Sequence, residues 1–244
     1  MRIMTYNIAY GTGNPGAGFG RVFTSHRYLR SGRRSIDLIA DFAEKCKPDL
    51  IGLVEADLGS FRTGGEDQVR YLAETLNMTS ASAVKYSTGT LVNRMPIIRK
   101  QANALLSHIP GKIKKHYMPA GFKRMALEVE FQEFHVVLVH LALTRQVRRL
   151  QLDFLENELA DRNNLIVGGD FNTFAGEKEL ARFKRRLKLR NPNTDRICTY
   201  PSWRPLRQLD YLLFSENIEI KSFSVPKFCA SDHLPVIADF EIRG

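Results

Sequence analysis

Residues 163–172 read NNLIVGGDFN. An apolar run of strand length stops at two glycines and then at Asp170 and Asn172. This is the pattern of a strand covered on both faces that ends in a polar loop. Residues 49–56, DLIGLVEA, repeat the pattern in the first half and close on Glu55. Helical patterns flank both strands. RSIDLIADFAEKC (34–46) sets Ile36, Ile39, Ala40 and Ala43 on one face, with Ser35 as a candidate cap and Pro48 just past the end. EDQVRYLAETLN (66–77) is again helical. In the second half, TRQVRRLQLDFLENELA (144–160) has helical spacing at Val147, Leu150, Leu152, Leu155 and Leu159, and EKELARFKRRL (177–187) reads as a short basic helix.

Between these halves lie many short β-like runs: SASAVKY (80–86), TGTLVNRMPII (88–98), KQANALLSH (100–108), KIKKHYMPA (112–120), RMALEVEFQ (124–132) and EFHVVLVHLAL (133–143). Strand after strand without a helix argues for antiparallel sheet. MRIMTYNIA (1–9) opens the chain as a strand, and QLDYLLFS (208–215), IEIKSFSVP (218–226) and LPVIADFEI (234–242) close it as strands. Two halves with one rhythm of strand, acidic loop and helix predict an α/β fold. The expected architecture is two packed sheets with helices outside, in one domain over residues 1–244.

Composition narrows the class. The chain has 244 residues, 43% hydrophobic and 25% charged, enough for a substantial globular core. No apolar run approaches the roughly 18 residues of a membrane helix. The start, MRIMTYNIAYG, lacks the apolar core of a secretory leader, so a cytoplasmic location is expected. Cys46, Cys198 and Cys229 form no CxxC pair, which argues against structural zinc and for buried free thiols in a reducing compartment. The formal charge of +10 favours polyanions: nucleic acid, an anionic membrane surface or phosphorylated substrates. It is clustered in RFKRRLKLR (182–190), in Arg27, Arg30, Arg33 and Arg34, and in Arg145, Arg148 and Arg149. A solvated face would look the same.

Polar groups recur where strands end: Asn7, Glu55, His140, Asp170 with Asn172, Asp210, and the pair Asp232–His233. Each alone has a plain reading, as a turn former, a cap or a satisfied core histidine. As a set they are hard oxygen donors beside two imidazoles. Such donors without thiols suit Mg²⁺ or Mn²⁺. A histidine beside a carboxylate serves as acid or base, and amide and imidazole donors can hold a phosphoryl oxygen. Together they describe metal-assisted attack of water on a phosphate ester. A serine hydrolase fits less well, since the chain has no GxSxG.

In this order the motifs resemble the endonuclease/exonuclease/phosphatase superfamily, over almost the whole chain. MTYNIAYG and IGLVEAD resemble its first two motifs, NALLSHIP and RMALEVE its central strands, and HLAL, GGDFNT, RQLDYLL and SDHLPV the remainder. Val54 stands where the family commonly has Gln, and Val139 where Thr is common. The resemblance implies a deoxyribonuclease I-like four-layer α-β-β-α sandwich of two mixed sheets. It implies a Mg²⁺- or Mn²⁺-dependent hydrolase with Glu55, Asn7 and Asp232 at the metal. His233 would be the catalytic histidine, oriented by Asp210. Asp170 would hold the attacking water, Asn172 would bind phosphate, and His140 would stabilise it. The family's substrates include DNA, RNA, phospholipid head groups and inositol phosphates. The positive charge favours nucleic acid over phospholipid, and Arg124 and Arg145 are candidate phosphate contacts.

GTGNPG (11–16) fits the dinucleotide fingerprint GxGxxG, but Pro15 stands where a helix should begin and Gly18 and Gly20 follow. A loop over the cleft is expected instead, with substrate recognition in 11–34 and 84–124. A non-catalytic nucleic-acid or membrane module would lack a ligand, and Glu55, Asp170, Asn172, Asp210 and His233 are all present.

Overall fold

In the computed structural model, which describes residues 1–13, 33–84, 100–121 and 123–243, the expected strands within those residues and one unanticipated two-residue strand, Leu189–Arg190, form two sheets. They are β1 (Arg2–Asn7), β2 (Leu50–Asp57), β3 (Thr79–Val84), β4 (Gln101–Ser107), β5 (Lys112–Tyr117) and β6 (Met125–Glu130). β7 (His135–His140), β8 (Leu165–Asp170), β9 (Leu189–Arg190), β10 (Asp210–Ser215), β11 (Ile218–Ser224) and β12 (Val236–Ile242) follow. The helices are α1 (Arg33–Cys46), α2 (Gln68–Thr75), α3 (Arg145–Glu158) and α4 (Ala181–Arg186). One sheet runs β11-β12-β1-β2-β4-β3 and the other β5-β6-β7-β8-β10-β9. Both are mixed: β1 pairs parallel with β2 and β7 with β8, and the other neighbours are antiparallel.

Side-chain alternation sorts each strand between two cores. Ile3, Leu50, Leu138 and Ile166 point between the sheets, into one cluster with Leu127, Leu212 and Phe240. Met4, Ile51 and Leu53 point outward to Ile36, Ile39, Ala40 and Ala43 of α1 and Val69 and Leu72 of α2. Val137, Val139 and Val167 face Leu152 and Leu155 of α3 and Phe183 of α4. The result is the expected order of helix, sheet, sheet, helix. The sheets approach closely at two positions that carry no side chain. A Cβ on Gly52 would lie 2.4 Å from Leu138 Cδ2, and one on Gly168 would lie 2.9 Å from Thr5 Cγ2.

Register carries the polar strand ends to one edge. His140 pairs with Asp170 across β7–β8, and Asp170 with Asp210 across β8–β10. In the other sheet Asn7 pairs with Val54, one residue before Glu55, and β12 begins at Val236, opposite Thr5.

Several local expectations shift. Ser35 is not a cap, because it lies within α1 together with Arg33 and Arg34. Asp67 caps α2, accepting from the Val69 and Arg70 amides. The 177–187 run divides into a short 3₁₀ turn, Glu177–Leu180, and α4. On α3, Leu150 is 44% exposed, while Arg148, Gln151 and Glu156 lie on the buried side with Leu152 and Leu155. Arg148 tolerates burial through an ion pair with Glu179 at 2.6 Å and bonds to the Ala142 and Leu143 carbonyls. The three cysteines are free, but none is fully buried and Cys229 is exposed. The run 88–98, most of the glycine-rich 11–34 segment with Arg27 and Arg30, and residues 85–99 of the second recognition segment lie outside the described residues.

Candidate active site

Asp170 is the hub. It ends β8, is buried, and accepts two hydrogen bonds with two histidines nearby. Its Oδ1 takes the Asn172 amide at 2.9 Å, and its Oδ2 takes Asn7 Nδ2 at 3.1 Å. The same Oδ2 lies 3.4 Å from His140 Nε2 and 4.0 Å from His233 Nε2. Asn7 thus reaches across from the first sheet to the second, while its Oδ1 accepts the Ala9 amide at 3.1 Å. Asn172 adopts φ +51° and donates its Nδ2 to the Leu141 carbonyl, which ties the loops after β7 and β8 together.

His233 stands opposite. Its Nδ1 meets Asp210 Oδ2 at 2.7 Å, so Nε2 faces Asp170 and the cleft. Asp210 is held by the Thr199 hydroxyl at 2.6 Å, and the Tyr200 ring lies 4.8 Å from the imidazole ring. Thr199 also accepts the Leu209 and Asp210 amides. Burial disfavours an imidazolium here, but the carboxylates of Asp210, Asp170 and Asp232 outweigh it and raise the His233 pKa to about 10. Burial raises the Asp170 pKa to about 6, against the opposing pull of the His233 charge.

Glu55 comes from a kink rather than from a regular strand end. It sits at φ +58° inside β2, where the register with β4 slips between Leu53 and Ala56. Such a bulge re-aims a side chain, and Glu55 Oε1 comes within 3.6 Å of His140 Nε2. Asp232 completes the set. Its pKa is raised, first by burial, and Glu55 is close enough to add to the rise. The eight sequence-predicted residues therefore gather at one edge of the sandwich. Arg124 and Arg145 point elsewhere: Arg124 donates to the Met118 carbonyl at 2.9 Å, and Arg145 lies 4.0 Å from Glu179.

Lys123 was not anticipated. Its ammonium contacts His140 Nε2 and stands 3.8 Å from Glu55 Oε1. Gln151, buried on α3, fixes its backbone by donating to the Lys123 and Ala120 carbonyls. A lone loop lysine in a basic chain offers no sequence signal. Neither does Thr199, whose role depends on where the 199–208 loop returns.

The donors suit a hard divalent ion: two carboxylates, Glu55 and Asp232, beside the Asn7 amide. Among the described residues, no three His, Cys, Asp or Glu groups are arranged to enclose a metal. An ion held by one or two carboxylates, with water and substrate phosphate completing its shell, is the usual Mg²⁺ arrangement. That Lys123 already lies against Glu55 and His140 shows that this corner attracts positive charge.

The profile of the Endonuclease/Exonuclease/phosphatase family matches residues 4–233. No curated protein matches the sequence. Among solved structures, a conserved protein of unknown function from Enterococcus faecalis V583 is similar at 16% identity and TM-score 0.76, covering 100% of both chains. The catalytic domain of human Nocturnin with bound sulfate is similar at 20% identity and TM-score 0.70, over 99% of this chain and 93% of that one. A mannosyl-6-phosphatase from Bacteroides thetaiotaomicron VPI-5482 is similar at 13% identity and TM-score 0.74, over 99% and 100% of the two chains.

Proposed function

The chain belongs to the endonuclease/exonuclease/phosphatase family of phosphoester hydrolases, and on that premise we propose a Mg²⁺- or Mn²⁺-dependent phosphodiesterase that acts on nucleic acid in the cytoplasm. The observation that carries this reading is Asp170, a buried carboxylate met by two histidines and two amide donors. When bound at Glu55 and Asp232, with Asn7 beside them, the metal supplies Lewis-acid neutralisation of charge on the phosphate.

The remaining roles follow from protonation and geometry. Asp170, with a pKa of about 6, is poised near neutrality to hold a water and take its proton. His233, with a pKa of about 10, is an imidazolium at neutral pH. It therefore donates from Nε2, to a phosphoryl oxygen or to the leaving group, while Asp210 fixes the ring through Nδ1. Asn172 keeps one amide hydrogen beyond its bond to Leu141, His140 stands 3.4 Å from Asp170 to help stabilise the phosphate, and Lys123 adds a positive charge.

Substrate preference rests on the +10 charge, which an anionic lipid head group would also satisfy. No helix of the described residues is long and apolar enough to cross a membrane. The test compares bis-p-nitrophenyl phosphate with p-nitrophenyl phosphate in Mg²⁺. The diester is expected to be the better substrate. His233→Ala and Asp170→Asn should each lose on the order of 10²–10⁴-fold in turnover. Variants that keep near-wild-type rates would remove both role assignments.

A further inference from the structure

The basic run 182–190 has no part in the chemistry above, yet it borders the site. An open groove of about 1240 Å³ lies between α4 and the 196–208 loop. It is larger than the roughly 300–1,000 Å³ pockets that enclose small ligands. Six cationic side chains line it against two carboxylates, Glu177 and Glu216. Lys184 is paired with Glu177. Among the described residues, Lys178, Arg185, Lys188 and Arg196 have no carboxylate partner. In the same wall Phe174 is 39% exposed, with the Arg207 guanidinium 5.6 Å above its ring and bonded to its carbonyl at 2.7 Å.

The groove is built from the loops that hold the catalytic groups. Thr173, in its wall, follows Asn172 and bonds the Tyr211 hydroxyl at 2.9 Å. Cys198, also in the wall, precedes Thr199, which holds Asp210. None of the eight site residues lines the groove, but its walls begin one residue from Asn172 and one from Thr199. Unpaired cations track a phosphate backbone, and an exposed ring stacks on a base that is itself unstacked. A duplex hides its base faces, and a membrane surface is met by protruding side chains rather than a concavity.

We propose that this groove binds single-stranded nucleic acid, with the backbone along Arg185, Lys188 and Arg196 and a base on Phe174. It rests on the nuclease reading and narrows its substrate class. The test is anisotropy of a labelled oligothymidylate of about twelve nucleotides, within the site sizes typical of such grooves, in excess chelator across a salt series. Wild type should bind with a steep salt dependence. Arg185→Glu with Lys188→Glu should weaken binding tenfold or more and flatten the log–log salt slope by about 1.4, roughly 0.7 for each lost phosphate contact. Phe174→Ala should weaken binding on the order of tenfold with the slope unchanged. Turnover of bis-p-nitrophenyl phosphate should be untouched in both variants. No binding by wild type, unchanged affinity and slope in the charge reversal, or preference for phosphatidylserine vesicles over the oligonucleotide would overturn the proposal. Oligonucleotide binding as described, with no hydrolysis of the small diester, would uphold the groove and overturn the catalytic reading.

Discussion

Asp210 is buried, and its contact with Nδ1 bears on what His233 can do. Replacing it with Asn removes the nearest charge that holds the imidazole protonated. In the metal-free protein, the His233 ring resonances of Asp210→Asn should titrate well below the wild-type value of about 10. An unchanged titration would place the cause elsewhere. Lys123 yields a second residue-scale prediction. Its ammonium is 3.8 Å from Glu55, so a divalent ion binding there works against a neighbouring positive charge. Lys123→Met should tighten Mn²⁺ binding several-fold by calorimetry while lowering kcat/KM for phosphate esters. Weaker Mn²⁺ binding would contradict that placement. The candidate site was legible where a residue ends a strand, as Asn7, His140 and Asp170 do. A strand's register fixes where its last side chain goes, and GDFN, SDHLP and LDY advertise themselves. Lys123, Thr199 and Tyr200 come from loops, whose return path no local pattern encodes.

At the scale of elements, the apolar face of α1 was readable because a 3.6-residue period maps onto one core. α3 was misread at Leu150, since its buried side is partly polar: Arg148 and Glu179 neutralise each other there, and Gln151 bridges two loops. The bulge at Glu55 was invisible, because a strand and a bulged strand share the same apolar run. Two predictions belong to this scale. Gly52→Ala would press a methyl group onto Leu138 and should cost about 1–3 kcal/mol of stability, read from urea unfolding. A neutral effect would mean that the sheets are not in contact there. Glu128 on β6 is buried against His116 at 2.5 Å and Arg162 at 2.6 Å. Burial alone would raise its pKa, but these partners bring it to about 2, against 4.5 for a free glutamate. A depressed carboxylate stabilises the fold above its unfolded value, and the stability is lost as pH falls toward its folded value. Glu128→Gln should therefore cost about 3 kcal/mol at pH 7, with the gap to wild type closing between about pH 4.5 and pH 2. A gap independent of pH would show that the pair is not ionised.

For the whole molecule, the two-sheet sandwich followed from a repeated rhythm of strand, acidic loop and helix. The pairing order did not, since nothing local says that β12 returns beside β1. That return matters most, because it carries Asp232 and His233 from the end of the chain to Asn7 at its start. Convergence of all eight groups on one edge is the central claim, with a divalent ion completing them. It is tested most directly by following bis-p-nitrophenyl phosphate turnover through a titration with chelator and back with Mg²⁺, in wild type and in Glu55→Gln. Activity should disappear in excess chelator, return with Mg²⁺, and need far more Mg²⁺ in Glu55→Gln. Turnover that continues unchanged in excess chelator would contradict it.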